Sequence, residues 1–283
     1  MKVFLHPTGL HSHAMLRVAA ALEKYKPDDV TVVGRPHAAD VQIFHVIGSD
    51  VLHLVQGREY AVIQYCFRSA NGNLEEWQEF WRKSRVVWSY YDLHDKVKDV
   101  PFYFSPLGVD GNIFQFRALL RNAVMTSGYV SGPGAEPIEE VGVVAEQMRM
   151  PVIHVGPPTI EGMKTYPRRR TAYLNVPDNQ LVDLYNKCLW VSGMRYVEGF
   201  EMPVIEGLAC GARPICFDRE DMRQWYDGHA VFVPECNGGE LRSILTNILQ
   251  SPPNPVSLTE RAEVLDRFNW ETIARGFWQA MNV

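Results

Sequence analysis

Long apolar stretches are missing from this sequence of 283 residues. No uninterrupted apolar run approaches the roughly 18 to 20 residues that a helix needs to cross a bilayer. The first ten residues hold one lysine and an apolar run of only three residues. We therefore expect neither a membrane-spanning helix nor a secretory signal peptide.

Cysteine is scarce, and its number and spacing are informative about disulfide bonds and zinc sites. The five cysteines are odd in number, and no two of them form a Cys-x-x-Cys pair. This argues against a disulfide framework and against a zinc site. Reduced thiols are typical of the cytoplasm, and we predict that location for the protein.

An excess of one sign of charge is also missing. The 28 Lys and Arg against 33 Asp and Glu leave a formal net charge of −5. That balance does not indicate a nucleic-acid binder or tight docking to an anionic membrane, although it leaves room for a local basic patch. Apolar content of 46% with 22% charged residues is typical of a globular protein.

What the chain does contain is a regular alternation of short apolar runs with helix-like segments. Strands are predicted at residues 3–5, 30–33, 41–46, 60–65, 86–89, 123–126, 152–155, 171–174, 189–192, 213–217 and 231–233. Helices are predicted at residues 13–25, 51–56, 74–83, 138–148, 178–187, 203–210 and 239–249, and a last one follows Asn269. Such alternation indicates an α/β fold with parallel sheets. Because ligands of these sheets bind beyond the carboxyl ends of strands, the loop at Gly9 is a candidate site.

One stretch, residues 195–218, combines a glycine-bearing loop, a short apolar helix, a turn and a strand. Pro203 suits the first turn of a helix, and Gly211 suits the left-handed residue that ends one. A helix that begins after such a loop offers N–H groups and a positive dipole end to a phosphate. Glu206 lies among apolar residues inside this helix, where a carboxylate is costly unless a partner such as a hydroxyl-rich ligand bonds to it. The alternative is that Glu206 faces solvent and only complements the helix dipole.

Residues 198–211, EGFEMPVIEGLACG, resemble the signature of retaining nucleotide-sugar glycosyltransferases of the GT-B fold, glycosyltransferase family 4. The family pattern is roughly E-G-F-G-x-P-x-x-E-A-x-A-C-G. Residues 106–114 are similar to the segment that ends the family's N-terminal domain, and residues 176–185 to a segment beside the nucleotide base. The resemblance implies a compact GT-B member: an α/β fold with two Rossmann-like domains that face a central cleft.

The resemblance also implies a division of the chain into three parts. Residues 1–110 would form an acceptor-side Rossmann-like domain, and residues 111–268 a second one that binds the nucleotide sugar. Residues 269–283 would form a terminal helix that crosses back to the first domain.

By resemblance, Glu206 would accept hydrogen bonds from the ribose diol, and Glu198 from a hydroxyl of the donor sugar. Carboxylates suit both tasks because they are strong acceptors when ionised. Backbone N–H groups at the start of the helix would hold the diphosphate. The donor-binding residues expected on this basis are Gly9, Gly199, Phe200, Glu201, Met202, Glu206 and Val176, and the catalytic residues are Glu198 and Arg195.

The chain departs from the family around the phosphates. Where the family has Gly-Arg and then Lys, residues 127–134 read SGYVSGPG and hold no base. Another cation should therefore enter the site, and we favour Arg195 over Arg68, and Arg68 over the run at 168–170. The alternative is that Arg195 pairs with Glu198 or Glu201 and only fixes the loop.

Two more departures concern single positions. Glu201 replaces the second glycine of the loop, and residues 65–67 read YCF near the point where the family has a histidine. His6, His11 and His13 cluster near the first loop, but their spacing is not that of metal ligands, and structural roles are expected. No Asp-x-Asp occurs, so a metal-dependent GT-A mechanism lacks its ligands, and we expect neither a metal nor another cofactor.

The sequence thus predicts a metal-independent retaining glycosyltransferase, a hexosyltransferase, that moves a sugar from a nucleoside-diphosphate sugar to a hydroxyl. The acceptor would be a glycan, a lipid-linked sugar, a small molecule or a modified nucleobase; nucleic acid is not indicated. Two alternatives stay open. A nucleotide-sugar epimerase or hydrolase on the same fold would act without an acceptor, and a non-catalytic module would bind the donor without turnover.

Overall fold

A computed structural model of the chain describes residues 1–6, 13–46, 59–65, 74–128, 136–156, 170–173, 176–197 and 199–282. In chain order the strands are β1 (Lys2–Leu5), β2 (Thr31–Val32), β3 (Val41–Val46), β4 (Glu59–Gln64), β5 (Val87–Ser89), β6 (Phe102–Phe104), β7 (Ala123–Ser127), β8 (Val152–Val155), β9 (Arg170–Tyr173), β10 (Cys188–Gly193), β11 (Arg213–Phe217) and β12 (Val231–Val233). The α-helices are α1 (His13–Lys24), α2 (Leu74–Arg82), α3 (Ile138–Gln147), α4 (Asp178–Asn186), α5 (Met202–Cys210), α6 (Glu220–Tyr226), α7 (Gly238–Leu249), α8 (Leu258–Arg267) and α9 (Trp270–Ala280). The predicted α/β class is confirmed.

The strands form two six-stranded sheets, and every pair of neighbours is parallel. The first sheet has the order β2-β1-β3-β4-β5-β6, and the second has the order β12-β11-β10-β7-β8-β9. In the second sheet the chain runs outward from β7 through β8 to β9, and then outward on the other side from β10 to β12. The strand order therefore reverses between β7 and β10, and ligands of doubly wound sheets bind at such a point.

The chain divides into two compact units. Unit 1 comprises Met1–Gly108, Glu198–Phe200 and Asn269–Val283, and unit 2 comprises Val109–Val197 and Glu201–Phe268. The C-terminal helix α9 packs inside unit 1, where the Trp278 indole N–H donates to the Leu22 carbonyl at 3.1 Å. The Tyr103 hydroxyl donates to the Ile273 carbonyl at 2.9 Å. Helix α9 is thus tied to both α1 and β6.

Helix α5 lies unusually close to strand β10 because glycine stands on both sides of the contact. A Cβ on Gly207 would lie 2.7 Å from the Val191 side chain, and a Cβ on Gly193 would lie 2.4 Å from Val204. Every residue of α5 except Pro203 is buried. The approach of helix to strand therefore decides where the buried side chains of α5 lie.

The ends of α5 show how local sequence sets its length. The helix begins at Met202, one residue before the predicted start, and Glu201 is its extended N-cap with φ −126° and ψ 108°. At the other end Gly211 has φ +92°, and its N–H bonds to the Leu208 carbonyl at 2.9 Å. The predicted left-handed glycine stop is confirmed.

Among the strands and α-helices of the described residues, three are missing from the sequence prediction: β6, α6 and α8. Strand β6 has only three residues and lies between prolines, and α6 has seven residues and an N-cap without a side-chain hydrogen bond. Helix α8 carries a capping box between Ser257 and Glu260, but little of it is apolar. The predicted helix at 51–56 lies outside the described residues. In the part of the chain that the structure describes, no helix has the length and apolar character to cross a membrane.

We expect Gly211→Ala to destabilise the protein more than Gly228→Ala. Both glycines have positive φ, at +92° and +79°, so both substitutions carry a backbone cost of about 1 kcal/mol. At Gly228 a Cβ would meet nothing within 4 Å, whereas at Gly211 it would lie 2.8 Å from the Phe116 ring. Urea unfolding measures the difference, and equal losses would show that the end of α5 is not crowded.

Candidate functional site

The loops that follow neighbouring strands of the second sheet lie close together near the reversal of strand order. Ser127 ends β7, and Gly193 ends the neighbouring β10. Gly128 follows β7 with φ +84°, and a Cβ on Gly156, which follows β8, would lie 2.3 Å from the Gly128 carbonyl oxygen. The loops at this edge therefore touch through backbone, which only glycine permits.

Arg195 follows β10 and extends toward the loop after β7. Its Nη2 donates to Ser127 Oγ at 3.3 Å, and a Cβ on Gly128 would lie 2.5 Å from the same nitrogen. The Arg195 side chain is 13% exposed, and its Nε lies 2.9 Å from Glu201 Oε2. Arg195 thus lies at the strand-order reversal and carries the ion pair with Glu201 that the alternative interpretation required.

A second carboxylate, Glu136, faces the same guanidinium. Its side chain is fully buried just before α3, and its Oε1 lies 3.4 Å from Arg195 Nε. It accepts hydrogen bonds from the Ser127 hydroxyl at 3.0 Å and the Ser127 N–H at 3.3 Å. Burial raises the pKa of Glu136 to about 7, and the charge of Arg195 opposes that rise. Sequence reasoning missed this residue, because an acid at the start of a helix ordinarily lies in solvent.

Glu201 is held by its backbone as well as by its ion pair. Its N–H donates to the Tyr226 hydroxyl at 2.6 Å, and that hydroxyl donates to the Glu201 carbonyl at 3.2 Å. Burial raises the pKa of Tyr226 well above its usual value, so the hydroxyl keeps its proton. Helix α6, which carries Tyr226, therefore fixes the N-cap of α5.

Glu206 is 2% exposed, so the solvent-facing alternative is wrong. Its Oε2 accepts a hydrogen bond from the Tyr185 hydroxyl of α4 at 2.9 Å. Cys210 lies one turn further along α5, and burial, with the charge of Glu206 next, raises the pKa of its thiol to about 12. The carboxylate is thus a buried acceptor with a protein donor already oriented toward it.

The remaining predicted site residues fall into three groups. Met202 and Val176 are buried in unit 2, at the first residue of α5 and two residues before α4. Gly199 and Phe200 belong to unit 1: a Cβ on Gly199 would lie 2.4 Å from the Tyr91 ring, and the Phe200 and Tyr90 ring centroids are 5.7 Å apart. The residues that lie outside the described part of the chain are Glu198, Gly9, Arg68, Arg168 and Arg169.

The first sheet has its own strand-order reversal, between β1 and β3. His45, near the end of β3, shares a 2.9 Å hydrogen bond between its Nδ1 and the Tyr65 hydroxyl. Burial lowers the pKa of His45 to about 4, so the imidazole is neutral at physiological pH. His45 was not predicted from the sequence, where its signal was a histidine within a strand that also holds Gln42 among apolar residues. His6, after β1, lies 2.6 Å from the Gln42 amide oxygen through its Nε2.

The described residues also bear on whether the protein could hold a metal ion. Within those ranges no group of three or more His, Cys, Asp or Glu is arranged to hold a metal ion. Three charged side chains, those of Arg195, Glu136 and Glu201, lie together at the strand-order reversal of unit 2.

Comparison with known proteins gives a match at the level of the fold. No protein-family model matches the chain, and no curated protein sequence does. Solved structures do match. A sucrose-phosphate synthase from Thermosynechococcus elongatus has a TM-score of 0.75 at 13% identity, covering 99% of this chain and 98% of that one.

Two further structures extend the comparison. Anabaena HepE in complex with UDP has a TM-score of 0.72 at 12% identity, covering 99% of both chains. A glycosyltransferase from Rickettsia africae has a TM-score of 0.67 at 11% identity, covering 99% of this chain and 97% of that one. Similarity this low in identity shows the fold alone, and the predicted GT-B fold is confirmed.

We expect Tyr226→Phe to lower the free energy of unfolding by about 1–3 kcal/mol, because it leaves the buried N–H of Glu201 without its acceptor. Tyr196→Phe is the matched control. The Tyr196 hydroxyl also donates to a backbone carbonyl, that of Cys236 at 3.3 Å, but it is half-buried and water can replace it. Equal losses in chemical denaturation would contradict the role of Tyr226 as the anchor of the α5 N-cap.

Proposed function

We propose that this protein is a retaining glycosyltransferase, a hexosyltransferase, that moves a sugar from a nucleoside-diphosphate sugar to a hydroxyl acceptor. The observation that carries the proposal is the buried, oriented carboxylate of Glu206. It lies in a helix that follows the signature-like loop, on a GT-B fold. A buried carboxylate is an acceptor suited to a ligand diol, and the ribose hydroxyls of a bound nucleotide would add to the hydrogen bond from Tyr185.

The donor assignment has a second support in the structural neighbours. HepE, which shares the fold, has been solved with UDP and with UDP-glucose. In this chain Glu206 would accept hydrogen bonds from the ribose diol, and Glu198 from a hydroxyl of the sugar. Backbone N–H groups near Met202 would meet the diphosphate with the positive end of the α5 dipole. Val176 would lie beside the base, and Gly9 in the loop that approaches the donor.

The transfer itself needs positive charge where the diphosphate leaves. Arg195 is the candidate, because its Nη2 lies over Gly128, at the loop where bases are missing from the sequence. Attack on the same face from which the diphosphate departs would let that leaving group take the acceptor proton, and the sugar would keep its configuration. No side-chain base is required for that step.

The acceptor class and location belong to the same proposal. A hydroxyl of a glycan, a lipid-linked sugar, a small molecule or a modified nucleobase is compatible with it. We also propose a cytoplasmic location, which the thiols of the described residues support, since Cys188, Cys210, Cys216 and Cys236 are all free.

The experiment that tests the function is a thermal-shift screen of nucleoside diphosphates and their sugars, followed by turnover assays with acceptor pools. A nucleotide at a hundredfold its dissociation constant should stabilise the protein by about 2.7 kcal/mol. Donor conversion without an acceptor would indicate an epimerase or hydrolase instead. Binding without turnover on any acceptor would indicate a binding module, and no shift with any nucleotide would refute the donor site.

We expect Glu206→Gln to weaken nucleotide binding by about 1.5–3 kcal/mol, because it removes a charged acceptor of ground-state hydrogen bonds. Glu198→Gln should instead lower turnover more than it weakens binding of the free diphosphate. Glu271→Gln is the control, because Glu271 is an exposed acid paired with Arg275 on α9. Titration calorimetry measures the affinities, and wild-type affinity in Glu206→Gln would refute the assignment.

We expect activity to survive excess EDTA. If side chains and the α5 dipole meet the charge of the leaving diphosphate, a divalent ion is not needed for the transfer. The measurement is the initial rate with and without chelator, once a donor and acceptor are known. Loss of activity in EDTA that manganese or magnesium restores would refute the metal-independent mechanism.

A further inference from the structure

Two buried carboxylates share one guanidinium at the strand-order reversal of unit 2. Arg195 Nε lies 2.9 Å from Glu201 Oε2 and 3.4 Å from Glu136 Oε1. The side chains of Glu136 and Glu201 are 0% and 3% exposed. With both acids ionised this cluster carries one net negative charge, at the place where the proposed function requires an anion to bind.

In the part of the chain that the structure describes, Arg195 is the cation that faces Glu136 within ion-pair distance. Serine hydroxyls of Ser127 and Ser192 hydrogen-bond to it, and the Cys216 thiol lies near, with a pKa that burial raises. Arg219 lies beside the cluster, where its Nη1 donates to the Arg195 carbonyl at 2.5 Å. Its charge is paired with Asp221 at 2.9 Å, and Glu235 lies 3.7 Å away.

The acids of α3 itself are engaged elsewhere. Glu139 pairs with Arg242 at 3.2 Å, and Glu140 accepts from the Gly238 N–H at 3.1 Å. Among the described residues, Arg195 is therefore the cation within ion-pair distance of Glu136. The charge of the cluster depends on whether Glu136 holds a proton.

The two edges of the guanidinium face different groups. Its Nε edge meets the carboxylates, whereas Nη2 lies against Ser127 and Gly128. An anion at the loop after β7 would meet the Nη edge and compete with the two acids for the same positive charge. That competition is relieved when one acid becomes neutral, and Glu136 is the more deeply buried one.

We propose that Glu136 is a positioning residue, which takes up a proton when a nucleoside diphosphate binds and thereby leaves the Arg195 guanidinium to the phosphates. This inference rests on the proposed function. The proton comes from solvent and goes to a Glu136 carboxylate oxygen, and no covalent bond to the nucleotide forms or breaks. Binding and proton uptake are then linked, so each promotes the other.

The raised pKa of Glu136 sets the direction in which nucleotide affinity changes with pH. The pKa of Glu136 is raised to about 7 in the unliganded protein, and a bound diphosphate would raise it further. Below pH 7 the acid is already neutral, and affinity should be constant. Above pH 7 a proton must be taken up, so affinity should fall as pH rises. Between pH 6 and pH 8 the dissociation constant should increase by up to about tenfold.

The test uses the glucose esters of UDP, GDP, ADP and TDP as probes, because their phosphates are diesters that do not titrate near neutral pH. Calorimetry of the wild-type protein at pH 8, in buffers of different ionisation enthalpy, should show uptake of close to one proton per nucleotide sugar bound. This measurement uses the wild-type protein alone. Tight binding without proton uptake would overturn the inference and leave the proposed function intact.

Variants distinguish a positioning role of Glu136 from a purely structural one. Glu136→Gln should bind with the same affinity at pH 6 and pH 8 and take up no proton, and Glu136→Asp should keep a pH dependence. Glu139→Gln, one turn away on the surface of α3, should behave as wild type, and Arg195→Gln should bind at least tenfold more weakly at every pH.

Two further outcomes would contradict the inference. A wild-type pH dependence in Glu136→Gln would assign the proton to another group and overturn the inference. If none of the four nucleotide sugars binds the wild-type protein at any pH, the proposed function and this inference both fail.

Discussion

The close approach of α5 to β10 is the constraint on which the candidate site depends. Gly193 and Gly207 let the helix approach the strand, because each leaves room for a valine side chain of the other element, Val204 and Val191. Glu201 at the start of the helix and Glu206 inside it are consequently buried, and each must be compensated. Arg195, after β10, pairs with the Glu201 carboxylate, and the Tyr185 hydroxyl of α4 donates to Glu206. The Tyr226 hydroxyl of α6 holds the Glu201 backbone.

Burial and pairing pull carboxylate pKa values in opposite directions, and this protein shows both outcomes. Glu260 pairs with Arg213 at 2.8 Å while still partly in contact with water, and hydrogen bonds from Arg213 lower its pKa to about 2. Glu136 also has an arginine near, but desolvation is the larger effect and its pKa rises. A fully buried carboxylate that shares its guanidinium is therefore close to titration at neutral pH, as in Glu136, whereas the partly exposed Glu260 stays ionised beside Arg213.

Most of the fold could be predicted because its signals are local. Alternation of short apolar runs with helical periodicity located eleven of the twelve strands in the described part of the chain, all except β6. Proline near the start of α5 and glycine at its end bounded that helix to within one residue. Elements with weak local signals were missed: β6 is too short, α6 is short and uncapped, and α8 is largely polar. In α8 the capping box between Ser257 and Glu260 is a local start signal, but only Val264 is buried, so the apolar periodicity is weak.

By itself the sequence determined the α/β class and the resemblance that names Glu198 and Glu206, because these depend on residue types at fixed spacing along the chain. The tertiary structure alone decided that Glu206 is buried against Tyr185 and that Glu136 shares Arg195 with Glu201. The physical reason is that desolvation and ion pairing depend on distances between residues far apart in sequence. Glu136 and Glu201 are brought to one guanidinium only when β7 and β10 pair in the sheet.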